Sequence, residues 1–508
     1  MITRSWTNVI AVGFLAVSVA VIGAPAQPLL YGDAAPVRSC ESLSGVDLQN
    51  ASVQTATNHA GDDSGPAACR VTVIARRPGT DSRITIWIWL PSRGWNGRFQ
   101  GRGGGGFSGG NEAGLRGPVA QGFSAGATDT GHEGGNGSFA LDENNRLRWQ
   151  SIRDNAYLGI HEMTVVGKAL TEAYYGRPPG YSYFNGCSTG GRQGLSEAQR
   201  FPGDYDGILS GCPAINWPQL HAAQMWGQLV MLERGHVVPQ CKFEAAREWS
   251  VAVCDELDGV KDGLVEDPTA CTVNVNALLD LSPDGCGALT AEDAAVIAEI
   301  WRGPRRKNGE FLWYGLPYGS AFRGLTNTSG DPLAGDPFRI SLQWFRYFLT
   351  EDPEWDWKTL TRDSYEQFWD QSMEQYRAVL GTDNPDLSGF RDAGGKMVLW
   401  HGWVDPLIYP EGTIDYYERV EEVMGGREAT SEFLRLFMAP GVAHCRGGDG
   451  PQPTRHFEAL RRWVEEGQAP ERLEGVADNR TRPLCRYPLT AHYDGSGSVD
   501  EAENFVCR

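Results

Sequence analysis

One hexapeptide constrains this chain more than any other feature: Gly186-Cys187-Ser188-Thr189-Gly190-Gly191. It follows the strand-like run Tyr181-Ser182-Tyr183-Phe184 and precedes a helix-like stretch from Gln193 to Arg200. A strand that turns at once into a helix needs small residues on both sides of the turning position. The G-x-S-x-G order puts a serine there. Such a turn pushes the Ser188 hydroxyl out of the sheet and aims the first N–H groups of the helix at any negative charge forming beside it. In a chain with 64 glycines the pattern alone is weak. The strand before it and the helix after it separate it from an ordinary Gly-rich turn.

The surrounding pattern is that of an α/β protein. Residues 70–90 alternate as strands do, and Ile84-Thr85-Ile86-Trp87-Ile88-Trp89-Leu90 is β-branched and aromatic up to Pro91. A short strand-like run lies near 122–128. Ile152, Ala156, Ile160, Val165 and Leu170 fall at helical spacings. Buried-type strands return at Lys396-Met397-Val398-Leu399-Trp400 and Phe433-Leu434-Arg435-Leu436-Phe437-Met438, and His456 to Glu466 is an amphipathic helix. This alternation predicts a mostly parallel sheet covered by helices. Between about 215 and 390 the regularity is lost among Trp, Tyr, Gly, Pro and Asp, which reads as an insertion. The expected division is a catalytic domain from 27–214 and 391–508 with an inserted domain from 215–390.

A serine nucleophile needs a base and a carboxylate, and in an α/β-hydrolase these follow it in the order Asp, then His. Asp405 lies just past the strand at 396–400, in His401-Gly402-Trp403-Val404-Asp405-Pro406, and His444 lies just past the strand at 433–438, in Val442-Ala443-His444-Cys445. The rival histidines fit less well: His401 abuts a strand end, and His132 and His161 precede the serine. A capping aspartate and a structural histidine are the bland readings. Cys187 adjoins Ser188 and Cys445 adjoins His444, so if serine and imidazole meet, their neighbours come within disulfide reach. For the oxyanion, the Thr189 N–H is the first expected donor. The second is the N–H of Gly105 or Gly104 in the run Gly103-Gly104-Gly105-Gly106. That run lacks the Lys-Ser/Thr of a phosphate loop and opens no helix.

The formal net charge is −19, which argues against nucleic-acid binding and a polybasic membrane anchor. Arg4 is the only charge before the apolar run Val9 to Ile22, and Ala24-Pro25-Ala26 follows as a small-residue cleavage site. Residues 1–26 therefore read as an export signal, and its removal takes the charge to −20. The run is short for a membrane span. An exported chain is secreted or periplasmic, and most of its 11 cysteines should be paired. Spacing favours Cys40–Cys69, Cys254–Cys271 and Cys485–Cys507, with at least one cysteine left free. No metal-type CxxC occurs. In Cys254-Asp255-Glu256-Leu257-Asp258-Gly259-Val260-Lys261-Asp262-Gly263-Leu264, three aspartates within eight residues, separated by glycines, suit a hard cation with oxygen ligands, calcium first. The spacing is not that of an EF-hand, and a solvated acidic turn is the alternative.

Together, Gly186-Cys187-Ser188-Thr189-Gly190-Gly191, His401-Gly402-Trp403-Val404-Asp405, His444-Cys445 and Cys254-Asp255-Glu256-Leu257-Asp258-Gly259 with Asp262-Gly263-Leu264 resemble the tannase and feruloyl esterase family, which also includes mono(2-hydroxyethyl) terephthalate hydrolase. The resemblance spans nearly the whole mature chain. It implies an α/β-hydrolase fold with a large inserted lid, catalytic Ser188, Asp405 and His444, and a Cys187–Cys445 bridge. It implies a structural calcium ion held by Asp255, Asp258 and Asp262 side chains with the Val260 and Leu264 carbonyls. The family commonly carries a small disulfide loop after the calcium loop. Here only Cys286 stands near that place; Cys241 is taken as its partner and Cys212 as the free thiol. The expected activity is hydrolysis of aromatic acid esters, feruloyl, galloyl or related, on a small molecule or a polysaccharide. A serine peptidase of α/β-hydrolase type and a non-catalytic calcium-dependent binding module are the alternatives. Lid aromatics Trp313, Trp344 and Phe345 are candidate pocket walls, with lid core packing as the competing reading.

Overall fold

A computed structural model describes residues 29–32 and 34–508. The expected export signal lies outside the described residues. The first eleven strands of the described residues are β1 (Ala51–His59), β2 (Ala68–Ala75), β3 (Ile84–Pro91), β4 (Arg98–Arg102), β5 (Ser124–Thr128), β6 (Tyr181–Cys187), β7 (Gly207–Gly211), a small ribbon of β8 (Asn327–Ser329) and β9 (Ala334–Asp336), then β10 (Lys396–Gly402) and β11 (Leu434–Ala439). Nine of them form one sheet in the order β1-β2-β3-β5-β4-β6-β7-β10-β11. From β5 to β11 all neighbours are parallel, while β1, β2, β3 and β5 pair antiparallel.

The near-continuous apolar runs of the central strands follow from burial on both faces. Along β6, Tyr183 and Phe184 point to opposite faces, as do Val398 and Leu399 along β10. Phe184, Ile208, Leu399 and Leu436 pack with Ile160, Met163, Leu195 and Val420, from the helices Gly159–Tyr175, Thr189–Arg200 and Pro410–Met424. Tyr183, Leu209, Val398, Trp400 and Phe437 pack instead with Leu460 and Trp463 of the helix His456–Glu466. The parallel part of the sheet is thus sandwiched between helices, and its carboxyl ends carry the loops of interest.

The segment 215–390 is not irregular, as the sequence led us to expect, but largely helical. Its helices include Trp217–Ala223, Trp226–Arg234, Gln240–Cys254, Ala291–Arg302, Arg339–Trp344 and Arg362–Leu380. They build an apolar cluster of their own that reaches Phe107, Phe139, Ile408 and Tyr409 of the sheet-bearing part. All six residues of the helix Trp217–Ala223 other than Gln219 are buried, so its sequence shows no polar face. Trp344 and Phe345 lie in this core; Trp344 donates to Ser372 Oγ at 3.1 Å and Phe345 stacks on Trp355. Trp313 is buried against Gly412. These three aromatics pack the insertion and do not line the cavity described below, which corrects their assignment as pocket walls.

Five cysteine pairs lie at disulfide distance: Cys40–Cys69, Cys187–Cys445, Cys241–Cys286, Cys254–Cys271 and Cys485–Cys507. Cys212 is free and buried. Among the described residues no helix is long and apolar enough to cross a membrane.

Candidate active site

Ser188 sits between the end of β6 and the start of the helix Thr189–Arg200, with φ 64° and ψ −124°. A non-glycine residue held there stores strain that the neighbouring packing must enforce. The enforcement is visible. The Ser188 N–H donates to Gly211 O at 2.9 Å, and the Ala214 N–H donates to Ser188 O at 3.1 Å. A Cβ on Gly186 would come within 2.4 Å of the Gly190 carbonyl carbon, and one on Gly103 within 2.5 Å of Gly190 Cα. The two Gly-rich segments singled out in the sequence are therefore in backbone contact, and side chains there would force the turn open.

The Gly103–Gly106 run leaves the end of β4 and lies over the helix start. The Gly190 N–H donates to Gly104 O at 3.0 Å, and Thr189 Oγ1 donates to Gly106 O at 2.6 Å. Gln193 clamps the run from one turn further on: its Oε1 accepts from the Gly104 N–H at 3.0 Å and its Nε2 donates to Gly109 O at 3.1 Å. The Gly104 N–H is thereby occupied, which removes it as an oxyanion donor. Gly105 lines the same cavity as Ser188. The Thr189 N–H opens the helix, where no intrahelical acceptor exists.

Asp405 is fully buried just past β10. Its Oδ1 accepts the N–H groups of Leu407 and Ile408 at 2.9 and 3.0 Å. Its Oδ2 accepts from His444 Nδ1 at 2.7 Å and from His401 Nε2 at 3.1 Å. Burial pushes the carboxyl up, but His444 and His401 outweigh it and hold the group well below the usual carboxylate range. Burial lowers the His444 imidazole in turn, and the Asp405 carboxylate reverses that, leaving it above the ordinary histidine value. His444 Nδ1 therefore carries its proton toward Asp405 and leaves Nε2 with a lone pair free to accept a proton. His401, which the sequence offers as a rival base, instead contacts Asp405. Its Nε2 faces two acceptors, Asp405 Oδ2 and Ile408 O, and its Nδ1 lies 2.8 Å from Thr413 Oγ1. The other rivals are committed elsewhere: His132 Nε2 lies 2.8 Å from Phe107 O, and His161 pairs with Asp204.

The bridge Cys187–Cys445, with Cα atoms 6.0 Å apart, joins the residue before Ser188 to the residue after His444. Behind it the Cys445 N–H donates to Cys212 Sγ at 3.3 Å, and burial pushes the Cys212 thiol well up, so it stays protonated and unreactive. Ser188, Thr189, Gly105 and His444 open onto one cavity of about 660 Å³. Its other walls come mostly from the insertion and the β10 loop: Trp217, Leu220, His221, Gln224, Ile340 and Ile408, with Arg339 and Arg446 exposed at the rim. Sequence reading did not name these wall residues. They belong to no motif and meet only when the insertion folds over the sheet.

The acidic loop gathers a second set of polar groups. Asp255 Oδ1 accepts the N–H groups of Asp262 and Gly263, Asp258 Oδ1 that of Val260, and Asp262 Oδ1 that of Leu264. Arg482 bridges to Asp262. Asp255 and Asp258 are buried. Burial, with the Asp262 and Asp255 carboxylates adding to it, pushes Asp258 up to about 6. Buried carboxylates that repel one another on a closed loop, with Leu264 and Val260 backbone beside them, are a donor set that fits a hard, oxygen-seeking cation. The Cys254–Cys271 pair closes this loop.

A family model described as tannase and feruloyl esterase matches residues 69–508. A probable feruloyl esterase of Arthroderma benhamiae is 41% identical over 460 residues, covering 86% of this chain and 85% of the relative. Feruloyl esterase B of Aspergillus niger is 31% identical over 471 residues, covering 86% of each. Among solved structures, feruloyl esterase B from Aspergillus oryzae superposes with a TM-score of 0.81 at 30% identity, covering 92% of this chain and 99% of that one.

Proposed function

The chain belongs to the tannase and feruloyl esterase family and is a carboxylic-ester hydrolase of phenolic esters; from that premise we propose that it is an exported serine esterase working through Ser188, His444 and Asp405. The observation that carries the mechanism is the 2.7 Å contact from His444 Nδ1 to buried Asp405, with His444 and the strained Ser188 lining one cavity.

Ser188 Oγ attacks the ester carbonyl carbon while His444 Nε2 takes its proton. The charge that develops on the carbonyl oxygen is held by the N–H groups of Thr189 and Gly105. Asp405 stays ionised and stabilises the imidazolium. Collapse expels the alcohol, protonated by His444, and leaves the aromatic acid esterified to Ser188. Water, deprotonated by the same imidazole, attacks that acyl-enzyme, and Ser188 leaves with the proton returned. Gln193 and Thr189 hold the Gly-rich run in place, and the Cys187–Cys445 bridge fixes the spacing between nucleophile and base. A calcium ion held by Asp255, Asp258 and Asp262 side chains, with the Val260 and Leu264 carbonyls, would stiffen the insertion and take no part in bond making. Five cysteine pairs support an oxidising compartment, secreted or periplasmic.

Initial rates on methyl ferulate, methyl gallate and a terephthalate monoester, each with Ser188→Ala as blank, test the reading. Turnover of a phenolic ester abolished in the variant is expected. No turnover of any of the three by folded wild type would overturn it.

A further inference from the structure

His221 lies on the helix Trp217–Ala223 of the insertion and forms part of the cavity wall, yet the chemistry at Ser188 makes no use of it. It is 2% exposed. Its hydrogen bonds settle which ring nitrogen carries the proton. Gln224 Nε2 donates to Leu407 O at 2.8 Å, which turns the amide oxygen of Gln224 toward His221 Nδ1 at 2.7 Å. An amide oxygen only accepts, so Nδ1 bears the hydrogen and Nε2 presents a lone pair. That Nε2 has no hydrogen-bond partner among the described residues. Burial also drives the imidazole down to about 3, so the ring is neutral at any working pH. Its backbone is pinned as well, by Ser341 Oγ donating to His221 O at 2.7 Å.

A buried acceptor without a donor costs free energy, and a binding site recovers that cost only from a ligand that brings the missing hydrogen. The ring stands among aromatic faces, with Trp217 edge-on at 4.2 Å between centroids and Phe107 at 6.1 Å. This surrounding suits a flat aromatic group carrying a hydroxyl. A carboxylate would meet the lone pair with its own negative oxygens and no proton to share. Resting on the esterase reading above, the geometry points to His221 Nε2 as the acceptor for a phenolic hydroxyl of the bound ester. Gln224 sets the tautomer. His221 thereby makes the enzyme select free phenols over their methyl ethers and over terephthalate-type acids.

The test compares kcat/KM for methyl ferulate with that for methyl 3,4-dimethoxycinnamate, which differs in having the phenol hydroxyl methylated. Wild type should favour the free phenol by tenfold or more, and His221→Phe, which keeps an aromatic ring without the acceptor, should bring the ratio to within threefold of one. Gln224→Leu, which frees the proton to move to Nε2, should lower the same ratio and serves if His221→Phe does not fold. A ratio near one in wild type, or an unchanged ratio in a folded His221→Phe, would overturn the assignment while leaving the esterase reading intact. No turnover of either ester by folded wild type would overturn the assignment, and the esterase reading falls with it only when methyl gallate and the terephthalate monoester fail as well.

Discussion

Replacing Cys187 and Cys445 together by serine removes the disulfide that joins the neighbours of Ser188 and His444, the proposed nucleophile and base, and the structure sets the size of the effect. The bridge spans 258 residues. In the chain-entropy description such a loop restricts the unfolded state by about 5.5 kcal/mol. The Cys241–Cys286 pair, 45 residues apart, lies inside the loop and shortens it in the unfolded chain, but the dependence is logarithmic and lowers the figure by only about 0.2 kcal/mol. The Cys40–Cys69 pair spans 29 residues, which corresponds to about 3.6 kcal/mol. With an unfolding entropy near 2.1 cal/mol/K per residue, roughly 1 kcal/mol/K for the mature chain, the two losses become melting shifts of about 5 and 3–4 °C. Activity separates the variants far more sharply. A displacement of about 1 Å between Ser188 and His444 costs on the order of a hundredfold in rate. Cys187→Ser/Cys445→Ser should therefore lose about that factor in kcat, and Cys40→Ser/Cys69→Ser, remote from the cavity, should stay within twofold of wild type. Both are read by non-reducing thermal melts and by kcat on the best phenolic ester. A Cys187/Cys445 variant that melts lower yet keeps full kcat would refute the idea that the bridge positions the catalytic pair.

Asp405→Asn should cut kcat by about 10⁴-fold with the fold intact, because the amide no longer holds the imidazole in its working tautomer; steady-state kinetics beside a melt checks this. The wild-type kcat/KM profile should fall on its acid side through a pKa above the ordinary histidine value of 6.5, since the base must be neutral and Asp405 holds its proton on; an acid limb centred below 6 would contradict the assignment of His444. Chelation of the purified protein should lower its melting temperature, restored by calcium but not by an equal ionic strength of sodium, and Asp258→Asn should abolish the response; at a ligand concentration 100 times Kd the stabilisation is about 2.7 kcal/mol.

The legible parts of the fold are those whose signal is local. The β6 turn and its helix are written in consecutive residues, and the helix His456–Glu466 has one buried face against one wet face. Asp405 and His444 were legible for a related reason: each stands just past a strand whose apolar run marks its end. The insertion was not legible as helix because much of it is buried on all sides. Trp217, Leu220, Ala222 and Ala223 show no polar contrast to reveal a period. One of its helices did carry a signal that went unread. Thr361 caps Arg362–Leu380, and Tyr365, Trp369, Ser372, Tyr376 and Leu380 repeat every three or four residues on its buried face. β1 escaped notice because most of Ala51–His59 is wet and no apolar alternation marks it. The cavity wall escaped for a deeper reason. His221, Gln224 and Ile340 come together with Ser188 only through packing of the insertion on the sheet, and no spacing in the sequence encodes that meeting.

The most direct test of the central claim is to mix enzyme with an activated ferulate ester, quench in acid within milliseconds, and map the modified peptide by mass spectrometry. A feruloyl adduct on Ser188, absent in Ser188→Ala and accumulating in Asp405→Asn no faster than the slowed turnover allows, is the predicted result. An adduct on any other residue, or rapid product release with Ser188→Ala as active as wild type, would contradict the account.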